Sequence, residues 1–202
     1  MTYPFMNKAI SSALYEALTE DPFYITLEQR TSIDPARAKK AMLKYMDYSM
    51  KEARAHGNLC LPKKLAQGAC LWSKPVDKAL GLQLTKNKKQ FLLDHLGRES
   101  LDTYCQIVDF MSKKSKQVVS DKFWYLSILG ISPDHQGKGL GLDLVLPGLG
   151  LTDKIGVATY LETFTPKNFG FYKRLGFYET KTVHEPVTGA DYTIMIRDAK
   201  ES

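Results

Sequence analysis

The nine residues Phe123–Ile131 (FWYLSILGI) constrain this chain more than any other stretch. They are apolar at odd and even positions alike, as a central strand covered on both faces is, so the fold must supply one layer above it and another below. Directly behind them come the turn Ser132-Pro133 and then Gln136-Gly137-Lys138-Gly139-Leu140-Gly141, which opens a leucine-rich helix. A strand that runs through a glycine-rich turn into a helix start is an anion site. Successive backbone N–H groups converge there, and the helix dipole adds positive potential. Glycine keeps the ground in front of those amides free of Cβ atoms.

Two common phosphate loops do not fit this stretch. A dinucleotide fingerprint needs GxGxxG, whereas Gly137, Gly139 and Gly141 are evenly spaced and Leu142 takes the sixth place. A Walker A loop needs a hydroxyl after its lysine, and Lys138 is followed by Gly139. Farther on, Asn168-Phe169-Gly170-Phe171-Tyr172-Lys173-Arg174-Leu175-Gly176-Phe177 reads as a short helix ended by glycine. Asn168 and Tyr172 are four apart and share one helical face.

The remaining pattern sets the organisation. The first half, about residues 1–121, is mainly helical. Ile10, Ala13, Leu14, Ala17 and Leu18 recur at helical spacing. Asp34-Pro35 starts a helix that carries Met42, Tyr45, Met46, Met50 and Ala53 on one face and ends at His56-Gly57. Short strands are predicted near Asn58–Leu61 and Gly68–Trp72, with Lys63-Lys64 at the hairpin between them. A helical region from about Lys86 to Lys116 is split at Gly97. The second half, 122–200, reads strand, helix, strand, helix, strand, strand. Its strands include Val157–Thr163, Tyr178–Val183 and Tyr192–Ile196, and a helix spans Thr165–Leu175. Pro147, with Gly148 and Gly150 nearby, is expected to interrupt the helix that the glycine loop opens. No linker cuts the chain, so one domain is expected over 1–202.

Gln136, Gly139 and Gly141 resemble the [Q/R]xxGx[G/A] signature of the GNAT acetyltransferase superfamily. The Asn168–Phe177 segment looks like the element that completes its coenzyme A site, in the family's order and covering about Phe123–Ile196. The wording FYKRLGF, Glu162-Thr163 ahead of Asn168 and, more weakly, Trp72 before Pro75 are most similar to the puromycin N-acetyltransferase-like branch. The resemblance implies a GNAT fold of α+β (α/β) class: a mixed, mostly antiparallel twisted sheet with helices on both faces and a splayed central strand pair. It also implies direct transfer of an acetyl group from acetyl-CoA to an amine, with a small-molecule primary amine as acceptor. Protein lysines or N-termini are the alternative acceptors, and a non-catalytic acyl-CoA-binding regulatory module is the alternative to an enzyme. By resemblance, the amides of Gln136, Gly137, Lys138, Gly139, Leu140 and Gly141 hold the pyrophosphate. Leu129, Gly130 and Ile131 run beside the pantetheine, and a backbone N–H there polarises the thioester carbonyl. Asn168, Phe171, Tyr172 and Arg174 complete the site, and Lys138, Lys173 and Arg174 can neutralise phosphate. Tyr172 is the candidate general acid, or else packs on the thioether. Glu162 is the candidate general base, or else a structural carboxylate. Asp134 and His135 read as loop residues.

Composition removes other classes. Cys60, Cys70 and Cys105 form no close pair, and the four histidines lack ligand spacing, so neither a disulfide framework nor a metal site is expected. No stretch approaches the ~20 apolar residues of a membrane span, and Met1–Ile10 lacks a signal-peptide pattern, so a cytoplasmic protein, monomer or homodimer, is the expectation. The net charge of +6 suits a polyanionic partner, either nucleic acid or a phosphorylated cofactor. The lysine runs Lys86–Lys89 and Lys113–Lys122 come with no nucleic-acid-binding signature, so nucleic acid is not an expected partner.

Overall fold

A computed structural model describes residues 3–63 and 66–200. Lys64 falls outside them, and with it part of the hairpin expected at Lys63-Lys64. Two Asp-Pro pairs set the first helices. Asp34 caps α3 (Pro35–His56) by accepting the Arg37 amide, and Asp21 caps α2 (Pro22–Gln29) by accepting the Phe23 amide. The sequence reading did not foresee α2, although Asp21-Pro22 carries the same signal as Asp34-Pro35. Helix α1 (Lys8–Ala17) is capped by Asn7. The fully buried Asp47 fixes the segment before it, accepting the amides of Met6 and Asn7 and pairing with Lys51 at 2.8 Å.

Strands β1 (Asn58–Cys60) and β2 (Gly68–Ser73) pair antiparallel, as expected. Helix α4 (Lys78–Ser115) starts eight residues before the expected Lys86, because Asp77 caps it by accepting the Leu80 amide. Gly97 kinks this helix at φ 86°, and Thr31 donates its hydroxyl to the neighbouring Leu96 carbonyl at 2.6 Å. Next come β3 (Trp124–Ile131), α5 (Leu140–Lys154), β4 (Thr159–Thr163), α6 (Phe169–Arg174), β5 (Tyr178–Glu185) and β6 (Ala190–Arg197). Strand β4 begins at Thr159 rather than Val157. The helix expected over Thr165–Leu175 is a 3₁₀ turn, Pro166–Asn168, followed by the short α6. Pro147 does not interrupt α5, which runs unbroken to Lys154. Its ring sits on the exposed side of the helix, where a lost N–H costs least.

One six-stranded sheet of order β1-β2-β3-β4-β6-β5 joins the two halves, antiparallel throughout except for the parallel pair β3–β4. Helices cover both faces. On one, α1, α3 and α4 pack Leu14, Met46, Met50 and Leu92 against Leu71 and Ile128. On the other, α5 and α6 pack Leu144, Leu149 and Tyr172 against Trp72, Leu126 and Ile131. Even positions of β3 serve the second layer at Leu126 and the first at Ile128. The switch comes from a bulge: Leu126 faces Trp72 and Ile128 faces Leu71, leaving Ser127 unpaired, its hydroxyl donating to Leu71 O at 3.1 Å. Buried Arg197 on β6 locks the second layer. It holds Asp153 at the end of α5 through two bonds of 2.7 and 2.8 Å and donates to Leu175 O just past α6.

Helix α5 approaches β2 closely at one glycine. A Cβ on Gly148 would stand 2.3 Å from Trp72 Nε1, whereas one on Gly150 would meet nothing within 4 Å. Gly148→Ala is therefore expected to cost about 1–3 kcal/mol by overpacking. Gly150→Ala, on the exposed side, is expected to be neutral or slightly stabilising. Urea unfolding midpoints of the two variants check this contrast.

Candidate active site

The two central strands separate. Parallel pairing between β3 and β4 covers Trp124–Leu126 against Thr159–Leu161 and then stops. Beyond that point β3 continues against β2 alone and β4 against β6 alone. Ser132 donates its amide to Gln67 O on the β2 side, so strand alternation turns the amides of Leu129 and Ile131 toward the gap. A cleft of about 1280 Å³ passes through this opening. Gly137, Gly141 and Tyr172 line it on the α5–α6 side, and Tyr45, Lys88 and Tyr104 line it on the α3–α4 side.

The glycine loop forms the first wall. The amides of Gly137, Lys138, Gly139, Leu140 and Gly141 have no intramolecular acceptor among the described residues, so five consecutive donors stand free at the start of α5. Gly137 and Gly139 adopt φ 75° and 80°, a left-handed region that glycine enters without strain, and open space lies where their Cβ atoms would be. Gly141 packs beneath Phe171, whose ring lies 3.5 Å from the site of its missing Cβ. These features fit a pyrophosphate group. Gln136 has a different part from the one expected. Its amide donates to Pro133 O, and its side chain donates to Ile131 O at 2.9 Å, tying the loop to the end of β3. Lys138 offers its amide, but its ammonium turns to Asp134 O and stays outside the cleft lining. Lys173 is paired with Glu179 at 2.6 Å. Of the three cations expected at the phosphates, only Arg174 lines the cleft.

Asn168, at the start of α6, and Phe171 also line it. Tyr172 is buried under α6, and burial raises its phenol well above the usual value, with the nearby Cys70 and Asp21 adding to the shift. Its hydroxyl has no hydrogen-bond partner among the described residues.

Glu162 projects from β4 on the other side of the gap. Its neighbour Leu161 belongs to the α5–α6 core, so alternation turns Glu162 and Tyr160 to the opposite face. Glu162 Oε1 is enclosed and has no hydrogen-bond partner among the described residues. Burial pushes the carboxyl up to about 7, with the Tyr125 hydroxyl moderating the rise. Tyr125 and Tyr160 stack 4.7 Å apart beside it. Asp21, the α2 cap, lines the same cleft, and burial pushes it up to about 6. The sequence reading missed Asp21, Tyr24, Tyr125 and Tyr160. Asp21-Pro22 could have signalled the first, while tyrosines inside apolar runs give no sign of which way they face. His135 lines the cleft as well, with Nδ1 enclosed and unpartnered, and Asp134 does not.

Comparison with known proteins agrees with this architecture. No protein-family profile matches the chain. An uncharacterized N-acetyltransferase of Schizosaccharomyces pombe is 26% identical over 186 residues, covering 88% of this chain and 72% of that protein. Among solved structures, a histone acetyltransferase HPA2 and related acetyltransferase from Corynebacterium glutamicum superposes with TM-score 0.63 at 18% identity, covering 96% of this chain and 91% of the other. The Drosophila melanogaster polyamine N-acetyltransferase gives 0.60 at 12% identity, covering 95% and 93%. Arylalkylamine N-acetyltransferase 2 of Aedes aegypti gives 0.59 at 14%, covering 98% of each chain. The fold is that of the GNAT acetyltransferases. The likeness to these solved structures is one of fold, and none of these proteins is by name a puromycin N-acetyltransferase.

The raised carboxyl of Glu162 has a cost in stability. A carboxyl whose folded value, about 7, lies above its ordinary value near 4.5 binds its proton more tightly when folded. Its stabilising contribution is complete below about pH 4.5 and is lost as pH rises through 7. Glu162→Gln is therefore expected to stabilise the protein at pH 8 by on the order of 2–3 kcal/mol, and by much less at pH 5. Denaturant titrations at the two pH values check it.

Proposed function

We propose that the chain is an acetyl-CoA-dependent N-acetyltransferase that transfers an acetyl group directly to the primary amine of a small molecule. The observation that carries this reading is a single through-sheet cleft lined by Gly137, Gly139, Leu140 and Gly141 with their free amides, by Tyr172 and by the enclosed Glu162. Bound acetyl-CoA supplies the acetyl group as an activated thioester. Gly137–Gly141 and Arg174 bind the pyrophosphate, and the free edge of β3 at Leu129 and Ile131 offers amides to the pantetheine and to the carbonyl oxygen, where negative charge develops.

The acceptor arrives as an ammonium and reacts as an amine, so a base must take one proton. Glu162, poised near 7, can hold that proton at neutral pH, as an ordinary carboxylate cannot. The acetyl C–N bond then forms, the C–S bond breaks, and the nitrogen's second proton passes to solvent. The raised value of Tyr172 narrows the general-acid role. A thiol near pKa 8.5 yields a thiolate less basic than this tyrosine's phenolate. Tyr172 therefore donates a hydrogen bond to the departing sulfur, and solvent completes the protonation. The S. pombe relative is named an N-acetyltransferase, and the structural neighbours act by name on polyamines, on arylalkylamines and on histones, so the small-amine reading leans on the enclosed, tyrosine-lined cleft rather than on the neighbours.

Thiol release from acetyl-CoA across a panel of amines and peptides tests this. Turnover with a small amine supports the reading. Tight acetyl-CoA binding with no acceptor that speeds release would point to a regulatory module instead. kcat/KM is expected to rise with pH through about 7, as Glu162 loses its proton. Glu162→Gln should lower kcat by roughly 10²–10⁴-fold and remove that limb of the profile. Tyr172→Phe is expected to lower kcat about 10–100-fold, equivalent to losing one charge-assisted hydrogen bond, with the affinity for acetyl-CoA little changed.

A further inference from the structure

Two enclosed carboxylates of the cleft, Glu162 and Asp21, lack cationic partners among the described residues. Glu162 Oε1 is enclosed without any. Asp21 spends Oδ1 on the Phe23 amide at 2.9 Å, and no basic side chain pairs with either carboxylate among the described residues. The chain does not lack cations, with 28 Lys and Arg against 22 Asp and Glu. Of the other acids that line the cleft, Glu20 holds Lys167 at 2.7 Å and Glu52 holds Lys88, while Glu16 and Asp109 are exposed to solvent. An enclosed carboxylate left uncompensated is costly, so its missing partner is expected to come with a ligand. The cleft around these two acids is built to receive ammonium groups. Tyr24, Tyr104 and Tyr160 line it, and their hydroxyls have no hydrogen-bond partner among the described residues; phenol oxygens accept from N–H donors while the ring faces attract cations. Asp21 caps α2 and lines the same cleft as Tyr24, Glu162 and Tyr172.

We propose that Asp21 holds a second cationic group of the acceptor while Glu162 serves the reacting nitrogen, so that the cleft selects small aliphatic diamines over monoamines. This rests on the acetyltransferase reading and specifies its substrate class. Asp21 then acts as a specificity residue, and its charge can be removed without removing its structural part, because asparagine caps a helix as well as aspartate does.

The test compares thiol release with diaminobutane and with pentylamine, in which a methyl replaces the second ammonium, for the native protein and Asp21→Asn. Acetyl-CoA affinity is measured by calorimetry for both proteins. The native protein is expected to favour the diamine by about tenfold or more in kcat/KM, the scale of one charge-assisted hydrogen bond. Asp21→Asn should lose that preference through a higher KM for the diamine, with acetyl-CoA affinity and thermal melting retained. Equal efficiency of the native protein on the two amines, or a preference that survives in Asp21→Asn, overturns the inference and leaves the acetyltransferase reading standing. Absence of acetyl-CoA binding in the native protein overturns both.

Discussion

The structure depends on the parting of β3 and β4. Three residue pairs hold the strands together at Trp124–Leu126, and beyond them each turns to its other neighbour. Parallel strands in a continuous sheet would satisfy one another's amides and leave no passage. Here the bulge at Ser127 bends β3 away and changes which layer its side chains serve. The free edge of β3 and the cleft that crosses the sheet follow from that one unpaired residue. The donor loop at the start of α5 then sits at one mouth of the opening, and the tyrosine-lined pocket under α3 and α4 sits at the other.

The electrostatics divide along the same line. On the α5 side the wall is made of backbone donors, aided by Arg174. On the helical side it is made of phenols and two enclosed, unpaired carboxylates. Glu162 and Asp21 are held in places that push both carboxyls upward, a cost that well-placed lysines would have relieved. On the proposed function, this arrangement sacrifices stability for a base that works near neutrality and for attraction of a cationic acceptor. The buried Arg197, Asp153 and Asp47 contacts work the other way, fixing α5, α6 and the N-terminal segment so that the cleft keeps its walls.

Much of this was legible in the chain. Apolarity at every position marked β3 as central, and its glycine-rich sequel marked the donor loop, because both signals are local. The Asp-Pro and Gly97 punctuation of the helices was readable for the same reason. Legibility ended where an outcome depends on packing across elements. Pro147 reads as a break, yet the helix carries it because the ring faces outward. Gln136 reads as a ligand residue, but its amide and side chain are taken up by Pro133 and Ile131. Lys138 and Lys173 read as phosphate cations and are turned away by Asp134 and Glu179. Asp21 and the tyrosines gather only when α2, α3, α4 and the sheet close around one space, and no window of sequence contains that space.

The central claim is that the parted strands and the α5 loop bind acetyl-CoA through backbone amides. Backbone NMR of the labelled protein, titrated with acetyl-CoA, tests it directly. The account predicts large shifts, or new protection from exchange, at the amides of Gly137, Gly139, Leu140 and Gly141 together with Leu129 and Ile131. Gln136, whose amide is already engaged, should change least within the loop. Binding that leaves these amides unmoved, or no binding at all, would contradict it.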